Sequence, residues 1–249
     1  MSILKEFFDD FTFRARVMPI LTALLPVILL GFFKGYIFKD LFDLSIYCFF
    51  ILIFCTFASK VARELGKKYE EKMYCKLGGK PTTIALRFSD NTIDKVTKER
   101  YHRIINDKLE DIKLPLSASE ESSESDSMYQ SAITIIRNYA NDNRDTEPRV
   151  YQELKEYNYW RNLYGCKWIS ITFYLLIAVR EIYMNSTFSL KEIIVKPYPE
   201  YIAFLLMILG IVGMCLCVNE DTVKRKAFDY AKTLIEVCER IKQKEDMRL

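Results

Sequence analysis

The chain of 249 residues contains one histidine, His102. Its seven cysteines, at 48, 55, 75, 166, 215, 217 and 238, form no group with zinc-ligand spacing, so no structural metal is expected. No G-x-S-x-G nucleophile turn, no P-loop ending in Lys-Ser/Thr and no acidic pair arranged for a catalytic magnesium can be found. Arg100 and His102 are too close together for the Arg-x4-His pair of a HEPN ribonuclease. These absences point away from an enzyme, and no cofactor motif is present. The net charge of +3 is too small to argue for nucleic acid by bulk attraction. Neither a β-hairpin signal nor an internal repeat interrupts a helical reading.

Long apolar runs are what the chain does have. They cover 17–33, 41–58, 168–179 with an extension to 184, and 201–218. A helix of roughly 20 apolar residues spans the hydrocarbon of a bilayer, where only helices and closed barrels satisfy their own backbone. Residues 34–40 and 185–199 are short connections, so the runs pair into two terminal hairpins, 17–58 and 167–218. Lys and Arg gather beside the runs at Arg14, Arg16, Lys60, Arg63, Lys67, Lys68, Lys155, Arg161, Lys167, Lys224, Arg225 and Lys226. The tips hold only Lys34, Lys39, Lys191 and Lys196. The positive-inside rule then predicts cytoplasmic termini and a cytoplasmic middle. There the thiols stay reduced, and no disulfide framework is expected.

The first sixteen residues mix Phe7, Phe8, Phe11 and Phe13 with Lys5, Asp9, Asp10 and Arg14. The acidic pair excludes a signal peptide, and an interfacial helix over 1–16 is predicted. A helical cytosolic domain follows over 59–166, and a cytosolic helix over 219–249. Positions 60–108 carry thirteen Lys or Arg against seven Asp or Glu, whereas 114–147 carry two against seven. The Ser/Glu/Asp tract at 117–127 has little to bury and reads as a flexible acidic loop. Apolar residues at four-residue spacing predict that the second span continues through 59–77 to a stop at Gly78-Gly79. Further helices are predicted from about Thr82–Thr83, over 94–109, over 127–141 and over 150–164, the last feeding the third span. The fold class is therefore all-α membrane protein, with four transmembrane helices as two hairpins around a helical cytosolic domain.

The most site-like segment is Gly78-Gly79-Lys80-Pro81-Thr82-Thr83, followed by Arg87, Arg100 and His102. Freed backbone N–H groups, two hydroxyls at a helix start and nearby cations suit phosphate oxygens. The same residues also read as ordinary helix punctuation, with the arginines paired to Asp90, Asp94 or Glu99. A second segment, 156–165, carries Trp160 and Tyr164 as interfacial anchors, while Asn158, Arg161 and Asn162 are candidates for coupling the cytosolic domain to the spans. Lys34 and the pair Arg180-Glu181 are pore candidates, because charge near or inside a membrane often lines a water path. Pro19, Pro26, Gly210 and Gly213 allow kinks and close helix approach.

The order of parts, with GGKPTT, a later T-x-x-R-Y-H at Thr97, Arg100, Tyr101 and His102, and YNYWRNLYG before the third span, resembles bacterial anti-phage membrane effectors. It is similar to the channel effectors of nucleotide-signalling systems of the Hailong type. The resemblance implies a homo-oligomeric inner-membrane channel or membrane-disrupting effector, a tetrameric ring being the expectation. It also implies gating by a nucleotide or oligonucleotide that a partner nucleotidyltransferase makes. The competing reading is a non-conducting membrane anchor that recruits a soluble partner through 127–141 and a solvated or partner-facing helix at 221–244.

Overall fold

A computed structural model describes residues 9–33, 41–109, 112–184 and 198–246, with side chains for 9–31, 53–109, 112–180, 183 and 205–241. Helix makes up 82% of it, and no strand occurs among the described residues. The expected all-α class holds. The helices are α1 Asp10–Thr12, α2 Met18–Phe33, α3 Leu41–Leu77, α4 Pro81–Ile84, α5 Lys95–Lys108, α6 Ser125–Asp142, α7 Pro148–Met184, α8 Tyr198–Leu216 and α9 Glu220–Asp246. A π-helical turn, Phe13–Val17, joins α1 to α2 without a break. The predicted boundary between an interfacial segment ending at 16 and a span starting at 17 therefore falls inside one helical run. Residues 1–8 of that segment lie outside the described residues.

Among the described residues, two stretches, Asp10–Gly31 and Pro148–Arg180, are long and apolar enough to cross a membrane. Leu205–Leu216 with Glu220–Ile241 makes a third if the bent pair counts as one span. This is fewer than the four expected. Part of the second run, 41–52, lies outside the described side chains, and α3 carries a charged second half.

The extension of the second run is as predicted, since α3 runs unbroken to Leu77. The third run is likewise the second half of one 37-residue helix, α7, which opens on Pro148. Proline suits a first helical turn because its missing N–H would have had no intrahelical partner there. Helix α5 begins where predicted, with Asp94 accepting from the Thr97 N–H at 2.9 Å. Asn219 caps α9 through the Thr222 N–H at 2.8 Å.

The chain divides into two compact units, Met1–Tyr69 with Asn158–Val223 and Glu70–Tyr157 with Lys224–Leu249. In the first, α2 packs on α8, and Ala23, Leu30, Leu163, Tyr174, Met207 and Met214 are buried together. Small residues set the spacing. A Cβ on Gly165 would lie 2.6 Å from the Gly66 nitrogen, and one on Gly210 would lie 2.6 Å from Pro26 Cγ. The outward positions of these helices are apolar: Phe57 is 68% exposed, Leu176 62% and Leu216 70%. Exposed apolar area on that scale marks a lipid or protein contact rather than a water-facing surface.

The second unit has a conventional inside. Ile84 and Leu86 from the α4 region, Ile104 from α5, Ile133 and Ile136 from α6, and Leu234 and Ile235 from α9 are buried. The apolar faces of α6 and α9 are thus used within the chain. On α9, Glu236 pairs with Arg149, and Arg240 with the buried Glu147. The opposite face of α9, with Lys224, Arg225 and Lys232, stays exposed.

Candidate functional site

The glycine pair closes α3. Gly78 has φ 73° and Gly79 φ 154°. The Gly79 N–H donates to the Tyr74 carbonyl at 3.0 Å, and the Gly78 N–H to the Cys75 carbonyl at 3.3 Å. Those two bonds satisfy carbonyls that the helix end would leave open. A Cβ on Gly79 would stand 2.9 Å from a guanidinium nitrogen of Arg87, so the second glycine also makes room for that side chain. Arg87 donates from Nε and Nη2 to the two carboxylate oxygens of Asp126, at 2.8 and 2.5 Å, and from Nη2 to the Gly78 carbonyl at 2.8 Å. The bond to Asp126 raises the Arg87 pKa.

Helix α4 is a single turn, and Pro81, Thr82, Thr83 and Ile84 are all buried in it. Too short for an anion site, it places the Thr83 hydroxyl in the interior without a hydrogen-bond partner. Lys98, 1% exposed, donates to the carbonyls of Arg87 at 2.5 Å and Asp90 at 2.6 Å. Burial lowers its pKa, opposed by Asp90, Glu121 and Asp94. His102 is fully buried, with Nδ1 2.6 Å from the Pro115 carbonyl, which can only accept. The proton therefore sits on Nδ1. The ring lies between Phe88 and Tyr129, and Nε2 makes no hydrogen bond.

The acidic tract completes this cluster. Glu121 accepts from the Phe88 N–H at 3.1 Å and from the Tyr129 hydroxyl at 2.9 Å. Ser125 is buried and begins α6, one residue before Asp126. Within the tract read as a flexible acidic loop, 117–127, Glu120, Glu121 and Asp126 accept from backbone N–H groups or from Arg87. Chemically the arrangement is a clasp in which Arg87 and Lys98 face the chain's own oxygens.

Burial lowers the His102 pKa, helped by Lys98 and opposed by the Pro115 and Leu86 backbone and by Glu121. The unfolded chain binds a proton at His102 below about pH 6.5, while the folded chain resists it. Stability is therefore complete above that pH and falls as the pH drops below it. His102→Phe is expected to flatten this fall, read as melting temperature between about pH 5.5 and 7.5. Parallel slopes for the two proteins would refute the assignment.

Arg100 lies apart from the clasp, with Nη2 2.6 Å from Glu239 Oε1 of α9. Lys80 is exposed and makes no side-chain cap bond. The structure thus brings Gly78, Gly79 and Arg87 together, buries Thr82, Thr83 and His102, pairs Arg100 elsewhere and leaves Lys80 at the surface.

A second cationic group in this unit escaped the sequence reading. Arg144 lies 5.2 Å from the Tyr151 ring centroid and the Lys155 ammonium 4.8 Å from it. Both Tyr151 and Arg144 border a small cleft with Arg137, Asn141 and Tyr230, with room for about one water. Arg137 is on α6 and Arg144 lies in the turn after its end, and the acidic net charge of 114–147 concealed both.

In the apolar unit the coupling candidates meet the N-terminal helix. Asn162 is fully buried and donates to the Ala15 carbonyl at 2.8 Å, within the π-helical turn. Its Oδ1 accepts from Arg161 Nε and Nη2, each at 3.3 Å. Asn158 is half-buried. Of the pore candidates, Arg180 is exposed near the end of α7, the Glu181 side chain lies outside the described residues, and so does Lys34.

Known protein families, curated proteins and solved structures yield no match to this chain. The functional reading therefore rests on these residues.

Proposed function

We propose that the chain is a homo-oligomeric membrane effector that conducts when a nucleotide or oligonucleotide binds its polar unit. One observation carries this reading: α3 and α7, each 37 residues long, are unbroken helices whose residues belong to both units. A continuous helix passes a displacement along its length, as switching proteins require. The exposed apolar residues of α2, α3, α7 and α8 support insertion, with the runs 17–33, 41–58, 168–184 and 201–218 as four spans. Both termini then face the cytoplasm of a bacterial inner membrane. Four helices are few for a pore within one subunit, so a closed ring, a tetramer in the simplest case, supplies it. The partner is the nucleotidyltransferase that makes the signal.

Within the polar unit, the exposed Arg137 and Arg144 offer forked donors for phosphate. Flux of ions or dye from liposomes, measured with a panel of cyclic and linear oligonucleotides, tests the proposal. Ligand-dependent flux is expected, with at least a tenfold weaker response in the double variant Arg137→Ala, Arg144→Ala. Silence under every condition, from protein shown to be folded and inserted, would refute conduction and favour the anchor.

A further inference from the structure

The apolar unit carries an open cleft of about 260 Å³ between α2, α7 and α8. Leu25, Pro26, Trp160, Gly213, Met214 and Val218 are among its walls. Leu25 at its rim is 49% exposed, and an open apolar cleft of this kind marks a lipid or protein contact rather than a packed interior. Water is a poor filling here. A buried water needs two to four polar partners, and the hydroxyls at this wall are already engaged. Thr22 and Tyr159 bond each other at 3.0 Å, and the Tyr174 hydroxyl donates to the Ala23 carbonyl.

The two glycines of α8 behave differently. Gly210 is needed for contact, since its Cβ would strike Pro26, whereas a Cβ at Gly213 would meet nothing within 4 Å. The missing side chain at 213 widens the cavity and brings no helices together. At the Val218 end stands a cation: Lys167 Nζ donates to the Val218 carbonyl at 2.8 Å, leaving two further protons on the ammonium. Lys167 also lies 5.7 Å from the Trp168 ring, a pairing suited to the headgroup level of a membrane.

We propose that this cavity binds one acyl chain of an anionic phospholipid, whose phosphate is held by Lys167. The proposal rests on the membrane reading above. The occupant follows from the chemistry: an apolar slot on a lipid-facing unit, with saturated hydroxyls inside and an ammonium at one end. Gly213 is the specificity position, because any larger side chain there enters the volume of the chain.

The two tryptophans of the sequence, Trp160 and Trp168, provide the assay. Trp168→Phe leaves Trp160, at the cavity wall, as the sole reporter. In vesicles of phosphatidylcholine with a minor fraction of phosphatidylglycerol brominated along its acyl chains, Trp160 emission is expected to be quenched. Gly213→Phe should reduce that quenching at least twofold, while quenching of Trp168 alone, in Trp160→Phe, stays unchanged. Lys167→Ala should remove the advantage of brominated phosphatidylglycerol over brominated phosphatidylcholine. If Gly213→Phe does not fold, Leu25→Phe fills the same volume from α2. Equal quenching in folded, cavity-filled variants, or none in the single-tryptophan parent, would overturn the lipid site. Extraction of the parent protein from membranes by alkaline carbonate would instead overturn the membrane reading itself.

Discussion

Replacing Gly165 by alanine is expected to destabilise the apolar unit by about 3 kcal/mol, at the upper end of what overpacking costs. The added Cβ would lie 2.6 Å from the Gly66 nitrogen, 2.9 Å from the Leu65 carbonyl carbon and 3.0 Å from the Gly66 Cα. All three are backbone atoms, so no side-chain rotation relieves the clash and α3 must move away from α7. Gly66→Ala meets Asn162 Oδ1 at 2.6 Å and the Arg161 carbonyl oxygen at 3.1 Å, and should behave similarly. Gly213→Ala is the control, since its methyl enters open space. Alanine there should be neutral or stabilising by up to about 1 kcal/mol, the helix-propensity difference. Melting temperature and size-exclusion profile in detergent distinguish the cases. A Gly165→Ala protein that melts with wild type would show that the two helices do not cross at these glycines.

Arg87→Ala is expected to destabilise the polar unit by about 2 kcal/mol through loss of charge-assisted hydrogen bonds. The pair with Asp126 is partly exposed, at 23% and 41%, which holds the effect below that of a buried ion pair. Arg87→Lys should recover little, because an ammonium cannot bridge both carboxylate oxygens and the Gly78 carbonyl in the same fork. Asp126→Ala should cost a similar amount, and the double variant should be no worse than either single one. Additive losses would mean that the two side chains act separately. If Arg87 were instead reserved for a ligand, Asp126→Ala would leave stability unchanged and strengthen ligand binding.

Helix periodicity was legible wherever one face of a helix is buried. The α3 extension, α5, α6, the first half of α7 and α9 repeat apolar residues at three and four positions, and each formed close to its expected bounds. The GGKPTT segment was ambiguous for a different reason. Its glycines, proline and threonines are compatible with both a phosphate cradle and a helix stop, and the deciding contact comes from Asp126, 39 residues beyond Arg87. No local pattern announces such a partner. Composition tells only half at 117–127: a tract with few apolar residues has little to bury, yet its carboxylates have much to accept. Gly210 and Gly213 looked equivalent in sequence, three residues apart on one helix. What separates them is Pro26 on α2, which stands opposite only the first.

Asn162 reaches the Ala15 carbonyl across 147 residues of chain. Tyr159 meets Thr22 across 137, and Tyr174 meets Ala23 across 151. The helical run 10–33 therefore has three polar contacts supplied by α7, which is synthesised well over a hundred residues later. During synthesis α2 must wait, with its π-helical turn unbraced, until α7 has been made. Assembly of the apolar unit is accordingly a late event, and a nascent chain stalled before residue 158 has not yet received the residues that lock its first helix in place.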